Sequence, residues 1–147
     1  QYIAQVVGGN SQNGYYAPTH ARILVYKIGG TAQLPPNAEY TQPPFAPPEQ
    51  TASAADIAQG GLIYGGACSL CHGNGGASRG MFPDLRRSPL LASQDAFDQV
   101  VLLGLRAEQG MKSFAGQLTT ADTALLRAYM IDRAIEARDT TPVPPGQ

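Results

Sequence analysis

Both cysteines of this chain and one of its histidines lie together in Cys68-Ser69-Leu70-Cys71-His72. Two thiols at this spacing can add to the two vinyl groups on one edge of a porphyrin, and the next residue then places an imidazole under the ring at the iron. Attachment of a haem gives a role to all three side chains. The pattern therefore predicts one covalently attached haem c, with Cys68 and Cys71 as attachment points and His72 as an iron ligand.

Two other uses of a cysteine pair fit the sequence poorly. A thioredoxin-like dithiol would follow a strand, whereas residues 54–67 have a helical pattern, and His72 would have no role. A zinc site needs four ligands, and the chain offers only these two cysteines with His72 and His20. His20 lies far away in a loop rich in tyrosine and proline, and we interpret it as a solvated loop residue.

A haem that transfers electrons needs a ligand on its other face, and methionine sulfur is the usual partner. Met111 is the preferred candidate, because it lies in an irregular segment between two predicted helices, far enough after His72 to reach the opposite face of the ring. Met81, in a loop close to the cysteines, is the alternative, and so is a haem with no sixth protein ligand. Met130 lies on the apolar face of the last predicted helix and is predicted to belong to the core.

The orientation of His72 needs a hydrogen-bond acceptor, because a ligating imidazole normally donates its other ring N–H to a neighbouring group. The carbonyl of Pro83 is predicted to be that acceptor, since the rigid ring of a proline helps to fix the loop. The alternative is that Pro83 only forms a turn.

Composition limits the possible partners of the chain. The 147 residues are 43 % hydrophobic and 14 % charged, which is typical of a globular protein. The net charge of −1 gives no electrostatic footprint for nucleic acid, and no apolar run is long enough to cross a bilayer. We therefore expect no nucleic-acid partner and no transmembrane segment. Haem c is assembled on the outer side of the bacterial inner membrane, which predicts a periplasmic location.

The first region of the chain, residues 1–33, has a β pattern. Residues 2–7 and 22–28 are rich in β-branched and aromatic residues and predict two strands. Two strands form no core of their own, so we expect them to pack on another part of the protein or on a partner.

The rest of the chain consists of three segments that differ in composition and predicted structure. Residues 34–53 hold six of the 12 prolines and predict an extended linker. Residues 54–139 are predicted to be helical, with a second helix over residues 96–103 ended by Gly104, and residues 140–147 a loose tail. Capping residues are predicted at the start of three helices, namely Ser53 with Asp56, Ser93, and Thr119 with Asp122.

With these features, residues 54–139 resemble a class I cytochrome c domain, a mainly α fold. Gly60 and Tyr64 match the glycine and the aromatic residue of the family's first helix. Leu126 and Tyr129 match the leucine and the aromatic residue of its last helix, at the point where the two helices cross. The segment around Met111 is similar to the family's ligand loop. Lys112 differs from the proline that the family commonly has after the ligand methionine.

The whole chain is similar to one end of the quinohaemoprotein alcohol dehydrogenases. Cys71-His72-Gly73 and Pro83-Asp84-Leu85-Arg86 resemble motifs of their C-terminal cytochrome domain, and residues 1–4 and 22–30 resemble the last strands of their eight-bladed β-propeller. The resemblance implies that Arg86 lies near a haem propionate, although a plain surface arginine is the alternative.

This resemblance implies a function for the segment. In such enzymes the propeller binds pyrroloquinoline quinone (PQQ) and calcium, oxidises an alcohol and passes electrons singly to the haem. No PQQ or calcium ligand can be matched to this chain, so it is expected to carry electrons from a PQQ dehydrogenase domain to an external acceptor, such as another redox protein or a quinone, and not to oxidise alcohols alone. The alternatives are a free-standing periplasmic cytochrome and a haem enzyme or gas sensor with an open iron site.

Overall fold

The computed structural model describes residues 1–7, 22–33, 43–78 and 82–141. These residues divide into two compact units, one that ends at Pro43 and one that begins at Pro44. The first unit contains the two strands, and the second contains the helices together with Cys68, Cys71, His72 and Met111.

The first unit is an antiparallel hairpin of β1 (Tyr2–Val7) and β2 (Arg22–Lys27), with Tyr2 opposite Lys27 and Val7 opposite Arg22. Both predicted strands are confirmed. Their apolar side chains are not buried, since Ile3 is 65 % and Ile23 71 % exposed. The hairpin therefore does not bury its own apolar residues.

The second unit contains α1 (Ala54–Ala67), α2 (Ser69–His72), α3 (Gln94–Val101) and α4 (Thr120–Thr140), joined by short 3₁₀ turns. This arrangement confirms the predicted fold, a mainly helical cytochrome c domain preceded by a short β segment. Among the described residues, no helix combines the length and the hydropathy that a membrane span requires.

The predicted helix caps are confirmed. The hydroxyl oxygen of Ser53 accepts the N–H of Asp56, that of Ser93 accepts the N–H of Ala96, and Thr119 and Asp122 form a reciprocal capping box. A cap at Ser93 starts α3 at Gln94, ahead of the predicted start. The helix also ends at Val101, before the predicted end at Gly104, because the carbonyl of Asp98 receives the N–H groups of both Leu102 and Leu103.

α1 and α4 cross closely at Gly60, as the resemblance to class I cytochromes c implied. A Cβ atom at Gly60 would lie 2.1 Å from the carbonyl oxygen of Leu125, so only glycine allows this approach. Next to the crossing, the rings of Tyr64 and Tyr129 lie 5.3 Å apart. The core around this crossing consists of Tyr64, Leu91, Leu126, Met130, Ile131 and Ala134.

The proline-rich segment is described from residue 43 onward, and residues 44–53 belong to the same compact unit as the helices. Gln50 ties this part to α4, since its Nε2 donates to the carbonyl of Ala128 at 2.9 Å. We call residues 44–53 the strap. The remaining predicted linker residues, 34–42, and most of the predicted tail, 142–147, lie outside the described residues.

Candidate haem-binding site

The two cysteines and the histidine lie on one short turn of helix. The carbonyl of Cys68 accepts the N–H groups of Cys71 and His72, at 3.2 and 3.0 Å, and this bonding forms α2. Both thiols are free, Cys68 half-buried and Cys71 exposed. Burial, aided by the nearby Cys71, raises the pKa of Cys68 to about 11, so this thiol is protonated near neutral pH.

His72 is buried, with 8 % of its surface exposed. Its Nδ1 lies 3.4 Å from the carbonyl oxygen of Pro83, and the ring of Phe82 lies 5.9 Å from the imidazole. Burial lowers the pKa of His72, and the contact with Pro83 opposes part of that shift. The imidazole is therefore neutral near pH 7, and with Nδ1 directed at Pro83 its Nε2 is the nitrogen that remains for a metal.

Tyr64 holds the chain that follows His72. Its hydroxyl donates to the carbonyl of Gly73 at 2.7 Å and accepts the N–H of Gly76 at 2.9 Å. Gly73 has a positive φ of 73°, and a Cβ there would lie 2.5 Å from the carbonyl oxygen of Ala77. The tight turn after the histidine therefore depends on one tyrosine hydroxyl from α1 and on glycine.

Pro83 is followed by an ion-paired turn. The Asp84 carboxylate accepts from Nε of Arg86 at 2.9 Å and from Nη2 of Arg86 at 2.7 Å. It also accepts the backbone N–H of Arg86, and Arg87 lies 3.9 Å away from it. Arg86, predicted from the resemblance to lie near a haem propionate, is thus directed by Asp84.

Met111 lies in a loop fixed on both sides. Its own N–H donates to the carbonyl of Arg106 at 3.1 Å, and the N–H of Phe114 donates to that of Val101 at 2.8 Å. Phe114 is buried and anchors the loop, while Met111 is half-buried. Lys112 places its Nζ 4.6 Å from the ring centroid of Phe114, so the residue that replaces the family's proline packs on the anchor.

Of the other candidate ligands, Met130 lies within the described residues, and two lie outside them. Met130 is 1 % exposed and lies in the core between α1 and α4, as the sequence predicted. Met81 and His20 lie outside the described residues. Among the residues that are described, no group of three or more His, Cys, Asp or Glu side chains is arranged to bind a metal.

Two contributors to this site escaped the sequence analysis. The hydrogen bonds of the Tyr64 hydroxyl were not foreseen, because the sequence gives an aromatic position on a helix but not the carbonyl or the N–H that its hydroxyl meets. Phe82 was also missed as a neighbour of His72, although its position next to Pro83 was a usable signal.

These residues fit a covalently bound haem. Two free thiols and a neutral imidazole with one ring nitrogen available occupy a single helical turn, and that is the donor set which haem c requires. The half-buried thioether of Met111 adds a ligand chemistry suited to iron.

Comparison with known proteins identifies a family model that matches about half of the chain. The family model described as cytochrome c oxidase, cbb3-type, subunit III matches residues 55–130. The match includes all of α2 and the loop of Met111, and it stops within α4.

Relatives of known function match most of the chain. Quinohemoprotein alcohol dehydrogenase ADH IIB of Pseudomonas putida is 36 % identical over an alignment of 141 residues, and the match covers 91 % of this chain and 19 % of the relative. The dehydrogenase subunit of the alcohol dehydrogenase (quinone) of Acetobacter aceti is 32 % identical over 87 % of this chain and 17 % of the relative. The chain thus spans less than a fifth of the length of these relatives.

A solved structure agrees with the sequence matches. The quinohemoprotein alcohol dehydrogenase ADHIIG of Pseudomonas putida HK5 superposes with a TM-score of 0.71 at 37 % identity. The superposition covers 81 % of this chain and 17 % of that structure. The similarity therefore extends beyond the residues that the family model matches.

Proposed function

This chain belongs to the cytochrome c family of the cbb3-type oxidase subunit III model, homologous to the haem c domain of quinohaemoprotein alcohol dehydrogenases, and we propose that it is the electron outlet of such a dehydrogenase. In this proposal it accepts electrons one at a time from a PQQ-containing domain and passes them to an external acceptor. The observation that carries the proposal is the single helical turn with two free thiols and a neutral, oriented histidine.

The proposal assigns a role to each residue. Cys68 and Cys71 would hold haem c covalently, and His72 and Met111 would bind its iron. When bound, haem c supplies a one-electron couple. If His72 and Met111 both bound the iron, it would have no free position for a substrate, so electron transfer would be favoured over chemistry at the metal.

The residues around the turn support these roles. In the proposal, Pro83 would accept from Nδ1 of His72, which lies 3.4 Å from its carbonyl oxygen, and would set the orientation of the ring, while Arg86 would lie near a haem propionate. Cys71 is exposed and its neighbour Leu70 is 96 % exposed, whereas His72 is 8 % exposed. This contrast supports an exchange of electrons at the thioether edge, which would lie on the exposed side of the turn.

The relatives support a proposal for the setting of the domain. The named relatives are alcohol dehydrogenases of which this chain matches only one part. We propose that PQQ and calcium belong to the dehydrogenase part, that the acceptor is another redox protein or a quinone, and that the protein acts in the periplasm.

The first test concerns the covalent haem. In the wild-type chain, produced with the haem c assembly machinery, we expect haem to stay attached after denaturation and extraction. The variant Cys68→Ala with Cys71→Ala should lose it. Haem that is extracted from the wild-type chain as readily as from this variant would contradict the proposal.

The second test distinguishes an electron carrier from an open haem site. Two axial protein ligands predict that the reduced wild-type chain binds carbon monoxide slowly or not at all. Met111→Ala should bind it rapidly, because it lacks one of the ligands. Rapid binding to the reduced wild-type chain would instead indicate a haem enzyme or a gas sensor.

A further inference from the structure

Within the described residues, two side chains of the strap, Gln50 and Phe45, contact the helical unit. Gln50 donates to the carbonyl of Ala128 on α4. The other attachment is Phe45, whose ring centroid lies 3.6 Å from the guanidinium carbon of Arg87 and 5.4 Å from that of Arg86. A planar guanidinium stacks well on an aromatic face, so Phe45 holds this arginine pair by a cation–π contact.

The second attachment continues to the iron ligand. Asp84 accepts two hydrogen bonds from the Arg86 side chain, at 2.7 and 2.9 Å, and lies 3.9 Å from Nε of Arg87. All three side chains are less than a quarter exposed. Asp84 follows Pro83, whose carbonyl oxygen lies 3.4 Å from Nδ1 of His72. A continuous series of contacts thus joins the strap to His72.

We propose that Phe45 is a positioning residue for His72, which acts through Arg86, Arg87 and Asp84 on the Pro83 carbonyl and so sets the reduction potential of the haem. This inference rests on the proposed ligation of iron by His72. It adds to that function a regulatory role for the strap, which the sequence analysis interpreted only as part of a linker.

The physical basis is the length of the contact between His72 and Pro83. A separation of 3.4 Å lies beyond the usual range for an N–H donor and an oxygen acceptor, where a further displacement of a few tenths of an ångström removes most of the remaining interaction. An acceptor at Nδ1 raises the basicity of a ligating imidazole. A more basic imidazole stabilises the oxidised iron, so a weaker contact should raise the reduction potential.

The charge of Arg87 acts in the opposite direction, but more weakly. Without the ring of Phe45, this guanidinium would be more exposed to solvent, and a weaker nearby positive charge lowers a reduction potential. Solvent screens such a charge strongly, whereas the Pro83 carbonyl contacts the ligand itself. The net expected change is therefore a rise.

The position of Phe45 gives this series of contacts a regulatory consequence. Phe45 directly follows Pro43-Pro44, and the proline-rich residues 34–53 join the hairpin to the helical unit along the chain. A displacement of this segment on binding of a partner would move Phe45 from the arginine pair. The reduction potential of the haem would then respond to the state of the segment that connects it to the dehydrogenase part.

The test is a redox titration of the full chain with its haem attached, followed by visible absorption. For Phe45→Ala we expect the equilibrium constant of one-electron reduction to rise about three- to tenfold, a positive shift of about 30 to 60 mV at 59 mV per tenfold. Phe45→Leu should shift the potential in the same direction, since it keeps an apolar side chain but loses the aromatic face.

Two matched variants separate positioning from loosening of the strap. Phe45→Tyr keeps the ring on Arg87 and should keep the wild-type potential. Gln50→Ala removes the other attachment of the strap, at Ala128 and away from Asp84, so it should lower the unfolding free energy without moving the potential.

The outcomes distinguish this inference from the proposed function. An unchanged or lowered potential in Phe45→Ala, beside a normal low-spin spectrum, overturns the inference alone. An equal shift in Gln50→Ala also overturns it, because the effect would then come from general loosening. A wild-type chain without a low-spin haem overturns the proposed function and this inference together.

Discussion

At the scale of single residues, His72 is held from both directions along the chain. Tyr64 fixes the turn that follows it through Gly73 and Gly76, and the Pro83 carbonyl lies at its Nδ1. The sequence predicted Pro83 but not the hydroxyl contacts of Tyr64. A sequence motif identifies ligands that are adjacent in the chain, whereas a hydrogen bond between α1 and a later turn depends on how the helix is rotated.

Removal of the Tyr64 hydroxyl should destabilise the domain. In Tyr64→Phe the N–H of Gly76 loses its acceptor in a buried position, which typically costs about 1–3 kcal/mol. Chemical denaturation of the haem-loaded chain measures this loss. Tyr129→Phe is the matched control, since no hydrogen bond of the Tyr129 hydroxyl is found among the described residues, and an equal loss in both variants would contradict the role of the Tyr64 hydroxyl.

Tyr64 also predicts a dependence of stability on alkaline pH. Burial raises the pKa of Tyr64 from 10.0 to about 12, with the hydrogen bond from Gly76 opposing part of the shift. The unfolded chain therefore loses this proton at a lower pH than the folded chain does. The stability that this residue contributes is fully present below pH 10 and is lost as the pH rises through about 12.

The comparison with Tyr64→Phe isolates this effect. Between pH 10 and pH 12, the unfolding free energy of the wild-type chain should fall more steeply than that of Tyr64→Phe. Parallel curves for the two proteins would show that Tyr64 titrates alike in the folded and unfolded states.

At the scale of secondary-structure elements, the crossing of α1 and α4 determines where α2 lies. α1 ends at Ala67, next to Cys68, and its contact with α4 is fixed at Gly60 by the approach of the Leu125 carbonyl. The sequence predicted these helices and their caps well, because capping depends on residues three positions apart. It predicted the ends of α3 less well. α3 ends where the Asp98 carbonyl accepts two N–H groups, and local backbone geometry, which the sequence pattern does not show, determines which carbonyl does so.

A methyl group at the crossing should separate the two helices. Gly60→Ala would place Cβ 2.1 Å from a backbone oxygen that has little freedom to move, and overpacking of this kind costs about 1–3 kcal/mol. Thermal or chemical unfolding of the haem-loaded chain measures the loss.

Gly65→Ala is the matched control on the same helix. A Cβ at Gly65 meets no described atom within 4 Å, and alanine is favoured over glycine in a helix by up to about 1 kcal/mol. Gly65→Ala should therefore keep or increase stability. Similar effects of the two substitutions would contradict the close crossing at Gly60.

At the scale of the whole molecule, the two units differ in how completely they bury their apolar residues. The helical unit has a core, whereas Val6 and Ile28 of the hairpin region are 75 % and 89 % exposed. The sequence predicted this difference, because two strands cannot enclose a core. It did not predict that the strap would pack on the helical unit, since proline content indicates an extended chain but not which surface Phe45 meets.

Hydrogen exchange should separate the two units. In the isolated chain we expect fast exchange at the amides of Tyr2–Val7 and Arg22–Lys27, because a two-stranded hairpin is marginally stable in water. The central amides of Thr120–Thr140 should exchange slowly. Strong protection of the hairpin in a chain shown to be monomeric would contradict its interpretation as a segment that needs a larger sheet.

Ligation of the iron by Met111 opposite His72 is the central claim, and the far-red absorption band of sulfur-ligated oxidised haem tests it most directly. The band should be present in the oxidised wild-type chain and lost in Met111→Leu. It should persist in Met81→Leu and Met130→Leu, which change the chain's other two methionines. A band that persists in Met111→Leu, or is lost in Met81→Leu instead, would contradict the account.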